Sequence, residues 1–116
     1  MGGRLVFKVF DEDTVRHFAR KLGQGIKYLH DRNIVHRDIK AENILFKQLE
    51  SIQEPILTEF EHARMLAPGE MCTELCGTRG CMSPELLNME PYALTNDIWA
   101  FGALLYMLTP QNWLYF

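Results

Sequence analysis

The sequence predicts a mainly α fold with short β hairpins, and three observations predict it. Val15, Phe18, Leu22, Ile26 and Leu29 recur at steps of three or four, the stripe of a helix with one buried face. Residues 97–108 are apolar nearly all round, which suits a helix inside a core. Ile34-Val35 and Ile44-Leu45-Phe46 are short apolar runs on either side of a polar stretch, and short strands or a tight hairpin-like loop fit them.

Along the chain, Asp11-Glu12-Asp13-Thr14 opens the first helix. Acidic side chains there accept from free backbone N–H groups and suit the positive end of the helix dipole. The helix is expected to run to about His30, where Asp31-Arg32-Asn33 breaks it. Lys47–Glu54 is polar and reads as a turn, after which Pro55-Ile56-Leu57-Thr58 is expected to pair back as another short strand. Residues 61–84 hold proline, glycine and many polar side chains without a period, and read as a long surface loop. Pro84-Glu85-Leu86-Leu87 suggests a short helix with proline in its first turn. Thr95 or Asn96 is expected to cap a second long helix, from about Asp97 to Leu108, stopped by Pro110.

The 116 residues are enough for one unit at most. The chain is 47% hydrophobic and 23% charged, an ordinary globular balance. A net charge of −3 and the lack of a basic stripe argue against nucleic-acid binding. Cys72, Cys76 and Cys81 match no zinc or CxxC spacing and read as free thiols in a reducing compartment. The apolar stretch Trp99–Phe116 is interrupted by Thr109, Pro110, Gln111 and Asn112, whereas a membrane span needs ~20 mostly apolar residues. No secretory leader is legible either. A cytoplasmic or nuclear location is therefore expected, with no membrane partner.

The polar stretch between the apolar runs is His36-Arg37-Asp38-Ile39-Lys40-Ala41-Glu42-Asn43. It resembles the catalytic loop of eukaryotic protein kinases, H-R-D-L-K-P-E-N, with Ala41 in place of proline. Further segments resemble the same family in the same order. Gly2-Gly3-Arg4-Leu5 is similar to the segment after the kinase hinge. Tyr28-Leu29-His30 and Ile34-Val35-His36 are similar to the approach to the catalytic loop. Cys76-Gly77-Thr78-Arg79-Gly80-Cys81-Met82-Ser83-Pro84-Glu85 resembles C-G-T-P-G-Y-M-A-P-E, the substrate-binding loop and A-P-E motif. Asp97-Ile98-Trp99-Ala100-Phe101-Gly102 resembles D-x-W-S-x-G, the start of the central helix of the C-lobe. Lys40, two residues after Asp38, is similar to the Ser/Thr form rather than the tyrosine form. The Asn43-to-Glu59 interval looks most like the calcium/calmodulin-dependent kinase group.

The resemblance implies a partial protein-kinase C-lobe acting on protein substrates with ATP and Mg2+. Phosphoryl transfer depends on positioning and charge neutralisation more than on covalent help. Asp38 would accept the substrate hydroxyl's proton, Lys40 would neutralise the transferred group, and Asn43 would hold magnesium through its amide oxygen. Glu59 would be the second metal ligand, and Leu45 would contact the nucleotide. Asp97 would fix the backbone of the catalytic loop. Arg37 would pair with an activation-loop anion. Glu74, four residues before Thr78, is either that anion, without phosphorylation, or a solvated loop glutamate. Thr73 beside it is a phosphosite candidate. Thr78 and Glu85 would belong to the substrate-binding and A-P-E region, and His36 and Phe60 would stack in the regulatory spine.

The sequence also departs from the family pattern. The magnesium motif D-F-G reads Glu59-Phe60-Glu61. The extra methylene of Glu59 strains the near-ideal octahedral geometry that magnesium demands. Glu61 adds charge where glycine adds none. Arg4 stands where many relatives have an acidic residue for the ribose, and Glu85 lacks the arginine that usually pairs with it. No G-x-G-x-x-G loop and no strand lysine with a helix glutamate partner are present in these residues, although those parts hold ATP in kinases. Residues 1–116 are thus expected to form a truncated domain without the N-lobe or the last C-lobe helices. Its parts would be a catalytic loop at 36–43, an activation segment at 59–85 and a central helix at 97–108. Trp99, Phe101, Leu104, Leu105, Trp113 and Phe116 are expected to leave an apolar patch for a protein partner. The expected function is that of a kinase-like fragment, a catalytically deficient pseudokinase or truncated isoform acting by partner binding. The alternative is an ATP-dependent Ser/Thr protein kinase of which this chain is an incomplete product.

Overall fold

The computed structural model describes residues 10–47, 51–74 and 83–109. Its elements are helices α1 (Glu12–His30), α2 (Pro84–Leu87) and α3 (Thr95–Leu108), and strands β1 (Ile34–Val35), β2 (Ile44–Phe46), β3 (Pro55–Leu57) and β4 (Arg64–Met65). A single 3-10 turn, Ala41–Asn43, precedes β2.

Helix α1 begins where a carboxylate can cap it. Asp11 is extended, and its side chain accepts the Thr14 N–H at 2.8 Å. Glu12 and Asp13 follow in the first turn, with Lys27 and His30 in the last. The buried stripe is Val15, Phe18, Leu22 and Ile26. Each such side chain, fully buried, contributes ~1.5–3 kcal/mol. Asn33 ends the turn after α1 with a φ of 57°, a conformation that asparagine tolerates better than most residues.

The strands form two separate antiparallel pairs. β2 and β3 pair with Ile44 opposite Leu57, Leu45 opposite Ile56 and Phe46 opposite Pro55. This pair is sequential, as a hairpin should be. β1 pairs instead with β4, Ile34 opposite Met65 and Val35 opposite Arg64. That contact spans a long stretch of chain, so the two apolar runs around 36–43 do not pair with each other.

Two clusters make the core. The main one joins α1, the 3-10 turn, β2 and α3 through Phe18, Leu22, Ile26, Ile39, Ile44, Ala100, Leu104 and Leu108. Ile52 joins it, so the polar stretch before β3 carries one core anchor. The second cluster holds Val35, Leu66, Cys72, Leu86 and Tyr92. It corrects the reading of residues 61–84 as a surface loop. β4 and the buried Leu66 and Cys72 lie within it, and Cys72 forms an isolated bridge with Tyr92. Arg64-Met65 gave no apolar signal, because its pairing rather than its composition makes it a strand.

Helix α3 starts at Thr95, before the expected Asp97, and neither Thr95 nor Asn96 caps it. Leu94 is the N-cap, without a side-chain bond. The buried Asn96 accepts the Ser83 N–H at 3.2 Å, which ties α3 to α2. The apolar patch also differs from expectation. Leu104 is fully buried, Phe101 and Leu105 pack against the main core, and Trp113 and Phe116 lie outside the described residues. The exposed apolar side chains of α3 are Ile98, Trp99 and Tyr106. They line a groove with Glu85, Thr95, Gly102, Ala103 and Met107. Among the described residues, no helix is long and apolar enough to cross a membrane.

Candidate functional site

The site is organised around the carboxylate of Asp97 in the first turn of α3. Asp97 is fully buried. Its Oδ2 accepts the His36 N–H at 2.8 Å and its Oδ1 accepts the Arg37 N–H at 2.9 Å. Two successive N–H groups aimed at one anion form a concave nest, and Arg37 takes a φ of 75° to make it. His30 Nε2, from the last turn of α1, lies 2.8 Å from Asp97 Oδ2. One buried carboxylate thus joins both long helices to the start of segment 36–43. A buried charge held by several donors is costly to strip of any one of them.

His36 is buried, and its ring roles are fixed by its partners. Nδ1 accepts the Asp38 N–H at 3.0 Å, so Nε2 carries the hydrogen and donates to the Thr58 carbonyl at 2.9 Å. The ring meets Phe60 edge-on, with centroids 4.9 Å apart and planes at 72°. Thr58 in turn donates its N–H and its hydroxyl to the Asn43 carbonyl, at 2.8 and 2.9 Å. The turn at 36–38, the end of the 3-10 turn and the chain after β3 are locked to one another through Thr58.

Asp38, Lys40 and Asn43 come together in this frame. Asn43 Nδ2 donates to Asp38 Oδ2 at 3.0 Å and to the Asp38 carbonyl at 2.8 Å. Lys40 Nζ stands 3.9 Å from Asp38 Oδ1. The Asp38 side chain keeps only 10% of its surface exposed, and Lys40 keeps 23%. A carboxylate with a fixed neighbour, partly exposed and flanked by a cation, can accept a proton from a hydroxyl brought against it. Because Asn43 uses its nitrogen on Asp38, its amide oxygen is the atom left for a cation.

Glu59 follows Thr58 directly, at a φ of 61°, and is exposed. Glu61 is exposed beside it. Among the described residues no group of three His, Cys, Asp or Glu side chains could hold a metal. Leu45 is half-buried in β2, opposite Ile56, which is 42% exposed. Directly opposed residues share a face, so the two form a small apolar platform on the open side of the β2–β3 pair.

Arg37 reaches away from Asp97 into an ionic cluster. Its Nη1 donates to Glu74 Oε2 at 2.6 Å, and its Nε donates to the His62 carbonyl at 2.6 Å. Arg64 Nη1 donates to the other Glu74 oxygen at 2.9 Å, and Arg64 also pairs with Glu70. The hydrogen bond from Arg37 holds the Glu74 carboxyl below its ordinary range. Glu70 raises the Arg64 guanidinium further, and burial pushes the Cys72 thiol up. Glu85 is exposed at the groove on α3, and Thr73 is exposed beside Glu74. Thr78 lies outside the described residues, as do Cys76, Cys81 and the segment around Arg4.

Arg64, Glu70, Thr58 and Tyr92 also belong to this site, although the sequence alone did not single them out. Tyr92 donates its hydroxyl to the Glu74 carbonyl at 2.6 Å. Glu70 three residues after Ala67 accepts the Ala67 N–H at 2.8 Å, a local turn that a loop glutamate can signal. The others are joined only by the fold.

A profile described as "Protein kinase domain" matches residues 4–116. Serine/threonine-protein kinase ATG1c of Arabidopsis thaliana is 35% identical over 100 residues, covering 86% of this chain and 14% of that protein. Inhibitor of nuclear factor kappa-B kinase subunit alpha of Xenopus tropicalis is 35% identical over 95 residues, covering 82% and 13%. Calcium/calmodulin-dependent protein kinase type 1 of Macrobrachium nipponense is 31% identical over 112 residues, covering 92% and 32%. The chain therefore spans between 13% and 32% of the length of these three relatives. With the profile running nearly from end to end and Ser/Thr kinases among its relatives, the chain belongs to the eukaryotic Ser/Thr protein kinase family.

Proposed function

We propose that this chain is the C-lobe portion of a Ser/Thr protein-kinase domain, catalytically deficient at its magnesium element and acting chiefly by binding a protein partner. The observation that carries this reading is a contrast within one site. Asp38 is held by Asn43 and flanked by Lys40, while Glu59, a residue later than Thr58, stands exposed at a φ of 61°.

Asp38 would take the proton of a substrate serine or threonine, and Lys40 would steady the charge on the transferred group. Magnesium-ATP, when bound, supplies the phosphoryl group and the neutralisation of its charge. The Asn43 amide oxygen and the Glu59 carboxylate are hard oxygen donors, the kind magnesium takes alongside phosphate oxygens. Leu45 and Ile56 offer an apolar face to a nucleotide base. The donor types therefore fit the ion, but the longer side chain of Glu59 and the added charge of Glu61 oppose its geometry. A displacement of ~1 Å at such a group can cost ~100-fold in rate. The exposed Ile98, Trp99 and Tyr106 around the α3 groove support the partner-binding half of the reading.

The test is phosphate transfer from magnesium-ATP to serine and threonine peptides by the purified chain. Little transfer is expected, and replacing Glu59-Phe60-Glu61 by Asp-Phe-Gly should raise it or raise magnesium-dependent ATP binding. Robust transfer by the unmodified chain, abolished by Asp38→Ala, would overturn the deficiency. It would favour the second reading, an ATP-dependent Ser/Thr protein kinase, for which the assembled Asp38, Lys40 and Asn43 speak. A thermal-shift titration with ATP, with and without magnesium, reads binding apart from turnover.

A further inference from the structure

We propose that Tyr92 is a positioning residue: its phenol bridges the Arg37 guanidinium and the Glu74 main chain, and so sets where the Glu74 carboxylate meets Arg37. Tyr92 is only 2% exposed, in the loop between α2 and α3. A buried phenol is costly unless its hydroxyl is bonded. Here the hydroxyl donates its one hydrogen to the Glu74 carbonyl at 2.6 Å. Its lone pair is then left to accept from Arg37 Nη1, at 3.4 Å. The same Nη1 donates to Glu74 Oε2 at 2.6 Å. Arg37, Tyr92 and Glu74 therefore close a ring, with Glu74 held at both its main chain and its side chain.

The main chain of Tyr92 grips the same segment two residues earlier. Cys72 N–H donates to the Tyr92 carbonyl at 2.7 Å, and Tyr92 N–H donates to the Cys72 carbonyl at 3.0 Å. One tyrosine thus fixes residues 72 and 74 together. The Glu74 side chain is 55% exposed, and an exposed ion pair left to itself is weak, because two long side chains must be ordered against solvent. Anchoring the Glu74 main chain removes part of that ordering cost and makes Arg37 its nearest partner. Any bearing on phosphoryl transfer rests on the reading of the site given above. The positioning itself does not.

The test reads the Glu74 carboxylate rather than turnover, so the two can fail separately. In the unmodified chain, carbon-detected NMR should find Glu74 titrating below the ordinary carboxylate range, since Arg37 donates to it. Tyr92→Phe keeps the ring and removes the bridge. Its Glu74 midpoint should rise toward the ordinary value, which a packing role alone would not produce. Tyr28→Phe, at an exposed phenol, should leave that midpoint in place. An unchanged Glu74 midpoint in Tyr92→Phe overturns the proposal. Should that variant fail to fold, the unmodified chain decides. Its Tyr92 hydroxyl proton should exchange slowly and shift in step with the Glu74 titration, and a hydroxyl signal indifferent to that titration overturns the proposal equally.

Discussion

Segment 36–43 and segment 59–61 lie on either side of one residue, Thr58, and they are built in opposite ways. In the first, side chains converge. Asp97 takes the N–H groups of His36 and Arg37, His36 takes that of Asp38, and Asn43 holds Asp38. In the second, Glu59, Phe60 and Glu61 are exposed, and among the described residues no side-chain hydrogen bond or ion pair reaches Glu59 or Glu61. Both segments contain a non-glycine residue at positive φ, 75° at Arg37 and 61° at Glu59. At Arg37 the fold enforces that conformation through a buried carboxylate. At Glu59 no side-chain bond among the described residues does so. Segment 36–43 is thus tied to stability through its buried bonds, whereas segment 59–61 is not. Substitutions in the second segment should therefore leave the fold intact more readily than substitutions in the first.

The largest effect should come from Asp97→Ala. It strands the buried N–H groups of His36 and Arg37 and releases His30. Breaking a buried charge cluster at one partner costs ~3–5 kcal/mol. Urea unfolding should show that loss, and hydrogen exchange should rise first at residues 36 and 37. Asn43→Ala should cost less, ~1–3 kcal/mol, because Asp38 loses two neutral donors but keeps Lys40 nearby. Glu59→Ala is the reference point, expected within ~0.5 kcal/mol of the parent, as for an exposed position without partners. Equal costs at Asn43 and Glu59 would show that the two segments support the fold alike.

How much of this was legible in the sequence depends on whether a feature is local. Helix α1 was legible from end to end, because Asp11 caps it and a single stripe, Val15 to Ile26, is what it buries. The interior of α3 was legible from its apolar run, but its start was not. Asn96, read as a cap, is used by Ser83 across the fold. Segment 36–43 showed its residue types, because its motif is contiguous in the chain. Its supports were legible only where the family pattern includes them, as with Asp97. β4 has no apolar alternation, and Ile52 is one apolar residue in a polar stretch, so neither gave a period. Arg64 and Tyr92 meet Glu74 only after β1 pairs with β4 and Cys72 pairs with Tyr92. Contacts made by long-range pairing leave no local pattern to read.

A smaller change sharpens the contrast in the other direction. Glycine adopts positive φ without steric cost, so Glu59→Gly should stabilise the chain by ~0.5–1 kcal/mol. The same substitution removes a candidate metal carboxylate, so magnesium-dependent ATP binding should fall while the thermal midpoint rises. Arg37→Gly, at the other positive φ, should destabilise despite the easier backbone, because the guanidinium's bonds to Glu74 and His62 are lost. If both glycine variants shift stability in the same direction, the backbone alone governs both sites and the contrast drawn between them fails.

The smallest effect expected is a change in the acid limb of stability, and it tests the one residue that links the two kinds of region. Glu74 is exposed, yet it is bound to Arg37 of segment 36–43. The hydrogen bond from Arg37 depresses its folded-state pKa. A depressed carboxyl stabilises the fold fully above its unfolded pKa, ~4.3 for glutamate, and that contribution disappears as pH falls through the folded value. Glu74→Gln removes the titrating group. The variant should therefore be slightly less stable than the parent above about pH 5, and the two curves should converge as acid protonates Glu74 in the parent. Unfolding midpoints measured from pH 7 down to pH 3 resolve this, with low salt favouring the difference because the pair is screened. Parallel curves across the whole range would mean that the carboxylate contributes nothing to holding residues 72–74 on Arg37, and Glu74 would then belong with Glu59 and Glu61 among the side chains that the fold leaves free to vary.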